Sequence, residues 1–291
     1  VNTYQSITLG GFKMREDSIP NGTEQRQSDI LNLIAVNTPL FKGLVNRNKL
    51  SWRYLVDCWG LGLTSNSKQQ YVDLCGERLT ALGLLNMPSA KSFKKSTSPS
   101  FLDSKKSLNT AFIRQGGDPE SNPSFLYTFG DGVGQSNVAY FFPYVTISDN
   151  SRPLDVPPAS FVCNTFMRKH TTRLASVKPW TIAAGINDGL ITGIGNVEID
   201  LTPEDIENLN LMNANPIVYK MNRGFVIETD NTAQFSPRSS LSYTHSREVL
   251  IELENEMYEM LLTYQWRFNT KEVREEIKGK ADVICLSLIH I

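Results

Sequence analysis

The chain has 291 residues, of which 40% are hydrophobic and 20% charged, enough for one large α/β domain or two modest ones. This composition excludes disorder as the dominant state. No apolar run approaches the roughly 18 to 20 residues of a bilayer span, and residues 1–30 lack a basic flank followed by an apolar block. We therefore expect neither membrane insertion nor secretion. The 29 basic and 30 acidic residues nearly cancel, which argues against a dedicated nucleic-acid binder.

The charges are unevenly distributed along the chain. Residues 1–114 carry 15 basic and 8 acidic side chains, a net charge of +7, whereas the remainder carries 14 and 22, a net charge of −8. Halves of opposite sign can be the random surface of one protein. They can also mark a subunit that packs head to tail on its own copies. Charge alone favours the first interpretation.

Both ends of the sequence look unnatural. The chain opens at Val1, and residues 286–291 (LSLIHI) resemble the translation of a transposon-based sequencing adapter. We therefore expect a fragment of an assembled metagenome, cut at both ends, whose last six residues are an artefact.

The first half predicts a parallel crossover unit. A short amphipathic helix is expected within residues 22–36. Residues 50–59 alternate like a strand, residues 67–79 have helical periodicity, and residues 83–88 form a short apolar run ended by proline. A strand, a helix and a strand over about 40 residues are typical of two parallel strands joined by a helix.

The middle of the chain changes character. Residues 91–137 are rich in Ser, Asn, Gly and Pro, which predicts a long surface excursion. Residues 138–147 (VAYFFPYVTI) are the most strand-like segment of the sequence. The pair Pro157-Pro158 then opens a helix that runs to about Lys169, because proline is tolerated in a first helical turn.

The second half alternates strands and helices and ends in two helices. Thr202-Pro203-Glu204-Asp205 combines a capping hydroxyl, proline and acidic residues, which predicts a helix start. The predicted elements are strand 197–201, helix 202–212, strands 216–219 and 224–229, and helices 243–268 and 271–284. The fold class is therefore α/β, a mixed β-sheet core flanked by helices.

The sequence is poor in catalytic and metal-binding signals. Of the three histidines, His170 ends a basic helix, where it would complement the helix dipole, and His245 begins the long helix. No HExxH, GxSxG or P-loop motif occurs. The cysteines stand far apart with no CxxC pair, so neither zinc nor disulfides are predicted and a reducing compartment is expected; they are Cys58, Cys75, Cys163 and Cys285. We predict no catalytic, cofactor-binding or metal-binding residues.

Three further patterns have simple structural interpretations. The glycines of residues 130–134 fit a hairpin loop better than a phosphate cradle, and those of residues 185–195 punctuate a loop. The acidic residues of the long helix predict a solvated face; they are Glu252, Glu254, Glu256 and Glu259. A stripe of apolar residues on that helix predicts core, with a partner-facing surface as the alternative; these are Leu250, Leu253, Met257, Met260 and Tyr264.

The order of motifs between about residues 50 and 285 resembles the tail sheath proteins of contractile bacteriophages and related injection systems. The matching segments are residues 53–57 (RYLVD), 81–88, 140–145 (YFFPYV), 156–160 (VPPAS), 178–185 (KPWTIAAG), 200–202 with the helix after them, 213–217 (NANPI), 223–227 (RGFVI) and 242–254 (SYTHSREVLIELE). The sequence departs from the family where residues 181–184 replace its usual Pro-Ala, and where Glu248 stands in place of a second Arg.

The resemblance implies a structural subunit that polymerises helically around a tail tube and contracts to drive the tube through the host envelope during genome ejection. The implied partners are copies of itself, the tail tube protein, and baseplate and tail terminator proteins. The implied location is the phage tail in the virion, after assembly in the bacterial cytoplasm. It implies no enzyme activity and no cofactor. It also implies that residues 1–285 form one sheath core domain, with an N-terminal extension (1–49), a loop-rich excursion (91–137) and C-terminal helices (243–285).

Two alternatives remain open from the sequence. One is a nucleotide-binding or oxidoreductase α/β enzyme that uses the crevice at the carboxyl ends of its strands. The other is a structural virion protein that does not contract.

Overall fold

The computed structural model describes residues 32–58, 65–87, 89, 135–149, 152–171, 180–211, 213–234 and 239–289. The described elements, in chain order, are α1 (Pro39–Val45), β1 (Tyr54–Val56), α2 (Ser65–Arg78), β2 (Leu82–Asn86), β3 (Val138–Phe142), β4 (Val145–Asp149), β5 (Arg152–Val156), α3 (Ala159–Thr171), α4 (Gly185–Asp188), β6 (Asn196–Val197), α5 (Pro203–Leu211), β7 (Ala214–Lys220), β8 (Gly224–Ile227), α6 (Thr244–Leu262) and α7 (Lys271–Ile289).

Two sheets form the core, and the larger one is mixed. Its strand order is β1-β2-β3-β7-β8, with β1, β2, β3 and β7 parallel and β8 antiparallel to β7. The smaller sheet has the order β5-β4-β6 and is antiparallel. The predicted α/β class and the parallel crossover from β1 through α2 to β2 are confirmed.

Helices cover both faces of the larger sheet. Because side chains alternate along a strand, Tyr140 and Phe142 point to one face of β3, while Ala139 and Phe141 point to the other. The first face packs against α2 and α5, and the second packs against α3 and α6. The central strands β2 and β3 are buried along their whole length, as expected of parallel strands covered on both sides.

Several predicted boundaries were wrong. The single strand predicted over residues 138–147 is two strands in different sheets, because Pro143 interrupts the pairing between them and lacks an N–H for a ladder. The predicted strands 50–59 and 197–201 shrink to Tyr54–Val56 and Asn196–Val197. The long helix ends at Leu262 rather than residue 268, while the last helix runs to Ile289 rather than residue 284.

Other predictions held or lie outside the described residues. The helix after Pro157-Pro158, the two strands β7 and β8 and the start of α5 after Thr202 are confirmed. The structure adds that β7 and β8 pair as a hairpin and that Thr202 and Asp205 cap α5 reciprocally. The glycine-containing segment 185–195, predicted as a loop, begins with the short helix α4 and continues as a loop. Most of the excursion 91–137, the glycines 130–134 and most of the helix predicted within 22–36 lie outside the described residues.

Candidate functional site

Helix α6 starts against Asp230, which accepts hydrogen bonds from its first residues. The carboxylate contacts the Thr244 hydroxyl and the His245 ring Nδ1, and accepts the His245 backbone N–H at 3.2 Å. A carboxylate at this position satisfies N–H groups that have no partner within the helix and lies at its positive end. His245 therefore helps to fix the start of α6, and its ring is held by this cap.

One turn later, Glu248 points into the protein and is fully buried. Its Oε2 lies 2.5 Å from Lys169 Nζ on α3, and its Oε1 accepts a hydrogen bond of 2.5 Å from the Tyr54 hydroxyl on β1. Its backbone carbonyl accepts a 3.3 Å bond from Arg53 Nη2. Glu248 thus joins α6 to the edge strand and to a helix on the same face of the sheet.

The contacts continue outward from this carboxylate. Arg53 Nη1 lies 2.5 Å from Glu252 Oε2, and Lys169 Nζ donates to the Thr181 carbonyl at 2.9 Å. The Tyr54 oxygen lies 2.8 Å from His170 Nε2. We call this group the Glu248 cluster; its members are Arg53, Tyr54, Lys169, His170, Glu248 and Glu252.

Burial and neighbouring charges act against each other on Glu248. Removal from water raises the pKa of this carboxyl, while Lys169, Tyr54 and Arg53 lower it. Burial and the adjacent Glu248 also raise the pKa of Tyr54 above its ordinary value, so its hydroxyl keeps its proton near neutral pH. A buried carboxylate with a cation and a hydroxyl donor is a satisfied structural group.

The cluster also assigns the state of His170. The Tyr54 hydroxyl has one hydrogen, which it donates to Glu248, so His170 Nε2 carries the hydrogen of the second bond and donates it to the Tyr54 oxygen. Burial, with Arg53 and Lys169 nearby, lowers the pKa of His170 to about 4. The ring is therefore neutral at pH 7, and it donates to Tyr54 rather than adding a positive charge to the last turn of α3.

We expect the His170 ring protons to titrate in NMR with an apparent pKa near 4. Because the ordinary value is 6.5, the unfolded chain binds a proton first as the pH falls, and this site makes folding less favourable between pH 6.5 and pH 4. Arg53→Gln removes one of the repelling cations and should move the His170 pKa upward. Titration of wild-type His170 near 6.5 would contradict this assignment.

A second buried polar group occupies the carboxyl ends of β1 and β2. The Asn86 Oδ1 accepts the backbone N–H of Ala159 at 2.8 Å, at the start of α3, and its Nδ2 donates to the Asp57 carbonyl. The Asn86 backbone N–H lies 3.3 Å from Asp57 Oδ2. Enzymes of α/β class often bind a ligand phosphate at such a helix start. Here the chain's own carboxamide binds that N–H.

The acidic face predicted on α6 was wrong at two positions. Glu252 is paired with Arg53, and Glu254 lies 3.9 Å from the buried Arg247, with its pKa raised by burial. The apolar stripe predicted as core is only half-buried except for Tyr264. The buried face is offset from it and mostly polar; it consists of Thr244, Arg247, Glu248 and Ile251.

Charges from the two halves of the sequence meet inside the chain. Arg53 belongs to the basic half, and its partners Glu248 and Glu252 belong to the acidic half. Arg47 lies over the Tyr258 ring at 5.3 Å. Part of the asymmetry in charge therefore serves contacts within the subunit.

The pair of Lys169 and Glu248 was not predicted from the sequence. Its signal was the departure at residue 248, where an acid replaces the second arginine of the sheath motif, but only the fold shows which cation it meets. Within the described ranges, no three His, Cys, Asp or Glu side chains gather in a way that could hold a metal ion. The cysteines Cys58, Cys75, Cys163 and Cys285 are free thiols. None of the helices that the structure describes combines the length and apolar character of a membrane-spanning segment.

Known proteins resemble this chain in fold but do not match it in sequence. No protein-family model and no curated protein matches the sequence. Solved structures do match the fold. The sheath complex of the extracellular contractile injection system PVC, in its contracted state, gives a TM-score of 0.60 at 15% identity, over 84% of this chain and 57% of that chain. A sheath tail protein from Listeria innocua gives 0.53 at 10% identity, over 85% and 48%.

The chain has the contractile sheath fold. A chain of the contracted baseplate of the anti-feeding prophage AFP agrees, with a TM-score of 0.61 at 14% identity, over 88% of this chain and 60% of that one. The present chain therefore spans about half to three fifths of the length of these sheath-fold structures.

Proposed function

We propose that this protein is a structural subunit of a contractile tail sheath, in a phage or a related injection system. The observation that carries the proposal is the sheath fold, matched over 84% of the chain to a contracted sheath complex. In this function the subunits polymerise helically around an inner tube. Contraction of the sheath then drives the tube through the envelope of the target cell.

The Glu248 cluster suits a subunit that must move as one body. A contracting lattice changes the contacts between its subunits, so each subunit has to transmit force without deforming. The cluster ties α6 to β1 and α3 through buried charged contacts that require one geometry. Interfaces that do not close on themselves propagate a tube, and such interfaces need no catalytic group.

The proposed function also implies partners, a location and a domain organisation. The partners are further copies of the chain, a tail tube protein, and baseplate and terminator proteins, and the location is the tail of the particle after assembly in the host cytoplasm. We further propose that residues 1–285 form one sheath core domain and that residues 286–291 derive from an adapter. The protein works without a cofactor and is not an enzyme.

Electron microscopy of the purified chain tests the proposal. We expect tubes or shortened sheath-like polymers that grow with protein concentration. Protein that stays monomeric at the highest soluble concentration would contradict it. A structural virion protein without contraction would form only one state of assembly.

A thermal-shift screen with nucleotides and dinucleotides tests the enzyme alternative. A ligand at a hundredfold excess over its Kd raises the free energy of unfolding by about 2.7 kcal/mol. We expect no shift, because Asn86 already binds the start of α3 in the crevice where such ligands bind.

A further inference from the structure

The turn between α6 and α7 exposes two large aromatic side chains. Trp266 is 94% exposed and Phe268 is 89% exposed, and Leu261 and Leu262 beside them are also exposed. Trp266 has a φ of 71°, in the left-handed region that a bulky side chain rarely adopts. A free surface gains nothing from holding an exposed indole in that conformation.

The turn is nevertheless held in one shape. The Tyr264 hydroxyl donates to Glu276 Oε1 at 2.8 Å, and Arg267 Nη1 lies 3.5 Å from Glu276 Oε2. The cations of Arg267 and Lys280 lie 5.0 Å and 4.8 Å from the centre of the Tyr264 ring. These contacts fix the base of the turn that carries the two aromatic side chains. We call Trp266 and Phe268 the knob.

The same helical hairpin contains an apolar notch. Gly279 lies within α7, and a Cβ added there would meet nothing within 4 Å. The open crevice around it is lined by Met260, Val283 and Ile284, with Glu276 and Lys280 at its rim. Val283 is 66% exposed. A glycine in the middle of a helix costs stability relative to alanine, and here it leaves room for a side chain from outside.

We infer that the knob of one subunit binds in the notch of a second copy of this chain. The notch is apolar and the knob is aromatic, so their contact buries surface that both now expose to water. The knob lies in the turn before α7 and the notch lies within α7, so both belong to the same hairpin. One subunit can therefore offer both partners of the contact at once.

The charges around the notch favour a copy of the chain over a partner of uniform charge. Residues 271–282 of α7 carry four basic side chains, Lys271, Arg274, Lys278 and Lys280, and four acidic ones, Glu272, Glu275, Glu276 and Asp282. A nucleic acid or an acidic membrane would meet as many acidic as basic groups. A second hairpin has the same balance of charges in this segment, so it meets no net repulsion at the notch.

Two substitutions remove one side of the contact each without harming the fold. Gly279→Leu fills the notch. The added Cβ has open space around it, and leucine has a higher helix propensity than glycine. Trp266→Gly removes the indole and suits the positive φ. Met221→Ser, at an 83% exposed residue in the turn between β7 and β8, is the matched control.

Sedimentation velocity over a range of concentrations measures the association. We expect each of the two variants to raise the Kd of self-association by at least about tenfold, and Met221→Ser to leave it unchanged. An equal mixture of Gly279→Leu and Trp266→Gly should regain a complex of two chains, since one retains the knob and the other the notch. Unchanged association in either variant, or a mixture that stays monomeric, would overturn the inference.

The knob–notch contact and the proposed sheath function can fail independently of each other. If both variants form tubes and associate with the Kd of the wild type, the knob does not bind the notch, while the proposed function remains. If the wild-type chain forms only complexes that both substitutions abolish, and no tubes, the contact is established and the sheath function fails.

Discussion

Lys169→Met is expected to lower the free energy of unfolding by about 3–5 kcal/mol, because it leaves the Glu248 carboxylate buried without its cation. The methionine side chain has a similar length, so little packing is lost. The Tyr54 hydroxyl alone cannot replace the charge of Lys169. Equilibrium unfolding in urea, followed by circular dichroism, measures the loss.

The double variant Lys169→Met/Glu248→Leu is the decisive control for this pair. Replacing both charges by apolar side chains removes the unpaired carboxylate, so most of the loss should be recovered. Lys271→Met removes an exposed lysine that lies 3.8 Å from Glu275, and should change stability by no more than about 0.5 kcal/mol. A buried single variant as stable as this surface variant would show that the Glu248 cluster does not hold α6 in place.

Asn215→Ala is expected to lower the free energy of unfolding by at least about 3 kcal/mol, because several buried groups lose their partner at once. Asn215 Nδ2 donates to the carbonyls of Tyr140 at 3.1 Å and Asn231 at 2.8 Å. Its Oδ1 accepts the Asn231 N–H at 2.7 Å and the Thr229 hydroxyl at 3.0 Å. One side chain thus connects β3, β7 and the segment that leads to α6.

Asn215→Asp separates the two halves of that amide. It keeps an acceptor for Asn231 and Thr229 but turns an oxygen toward two carbonyls, so it should be as destabilising as alanine. Asn164→Ala, at an exposed amide that contacts Thr192 at 3.3 Å, is the control and should be nearly neutral. Stability of Asn215→Ala close to that of the control would refute the role assigned to Asn215.

Asn215 also gives a physical reason for one of the sheath-like motifs. The segment NANPI resembled the family, but the sequence did not indicate why it contains an asparagine. The structure shows that Asn215 joins two neighbouring parallel strands to the next segment of the chain. A side chain with both donors and an acceptor is needed for that position.

Local signals predicted the elements whose ends depend on neighbours in sequence. Thr202 and Asp205 fixed the start of α5, and Pro157-Pro158 preceded α3 as expected. The end of α6 depends on distant contacts instead. Residues 263–270 contain no glycine or proline, and the helix stops where Tyr264 turns inward to meet Glu276 on the following helix. Strand β5 was missed because it is short and mostly exposed and contains Pro153, a residue that argues against a strand.

The site was less predictable than the fold because its members lie far apart in sequence. Lys169 and Glu248 are 79 positions apart, and Tyr54 and Glu248 are 194 apart. Neither Lys169, in a basic helix end, nor Glu248, in an acidic helix, looks buried from its neighbours. The packing of α3 and α6 on the same face of the sheet makes them a pair.

Cryo-electron microscopy of the assembled protein tests the sheath function most directly. We expect hollow helical polymers in an extended and a shortened lattice that differ only in contacts between subunits. Every subunit should retain the five-stranded sheet and the Glu248 cluster in both. A protein that remains a monomer, or a subunit that refolds between the two lattices, would contradict it.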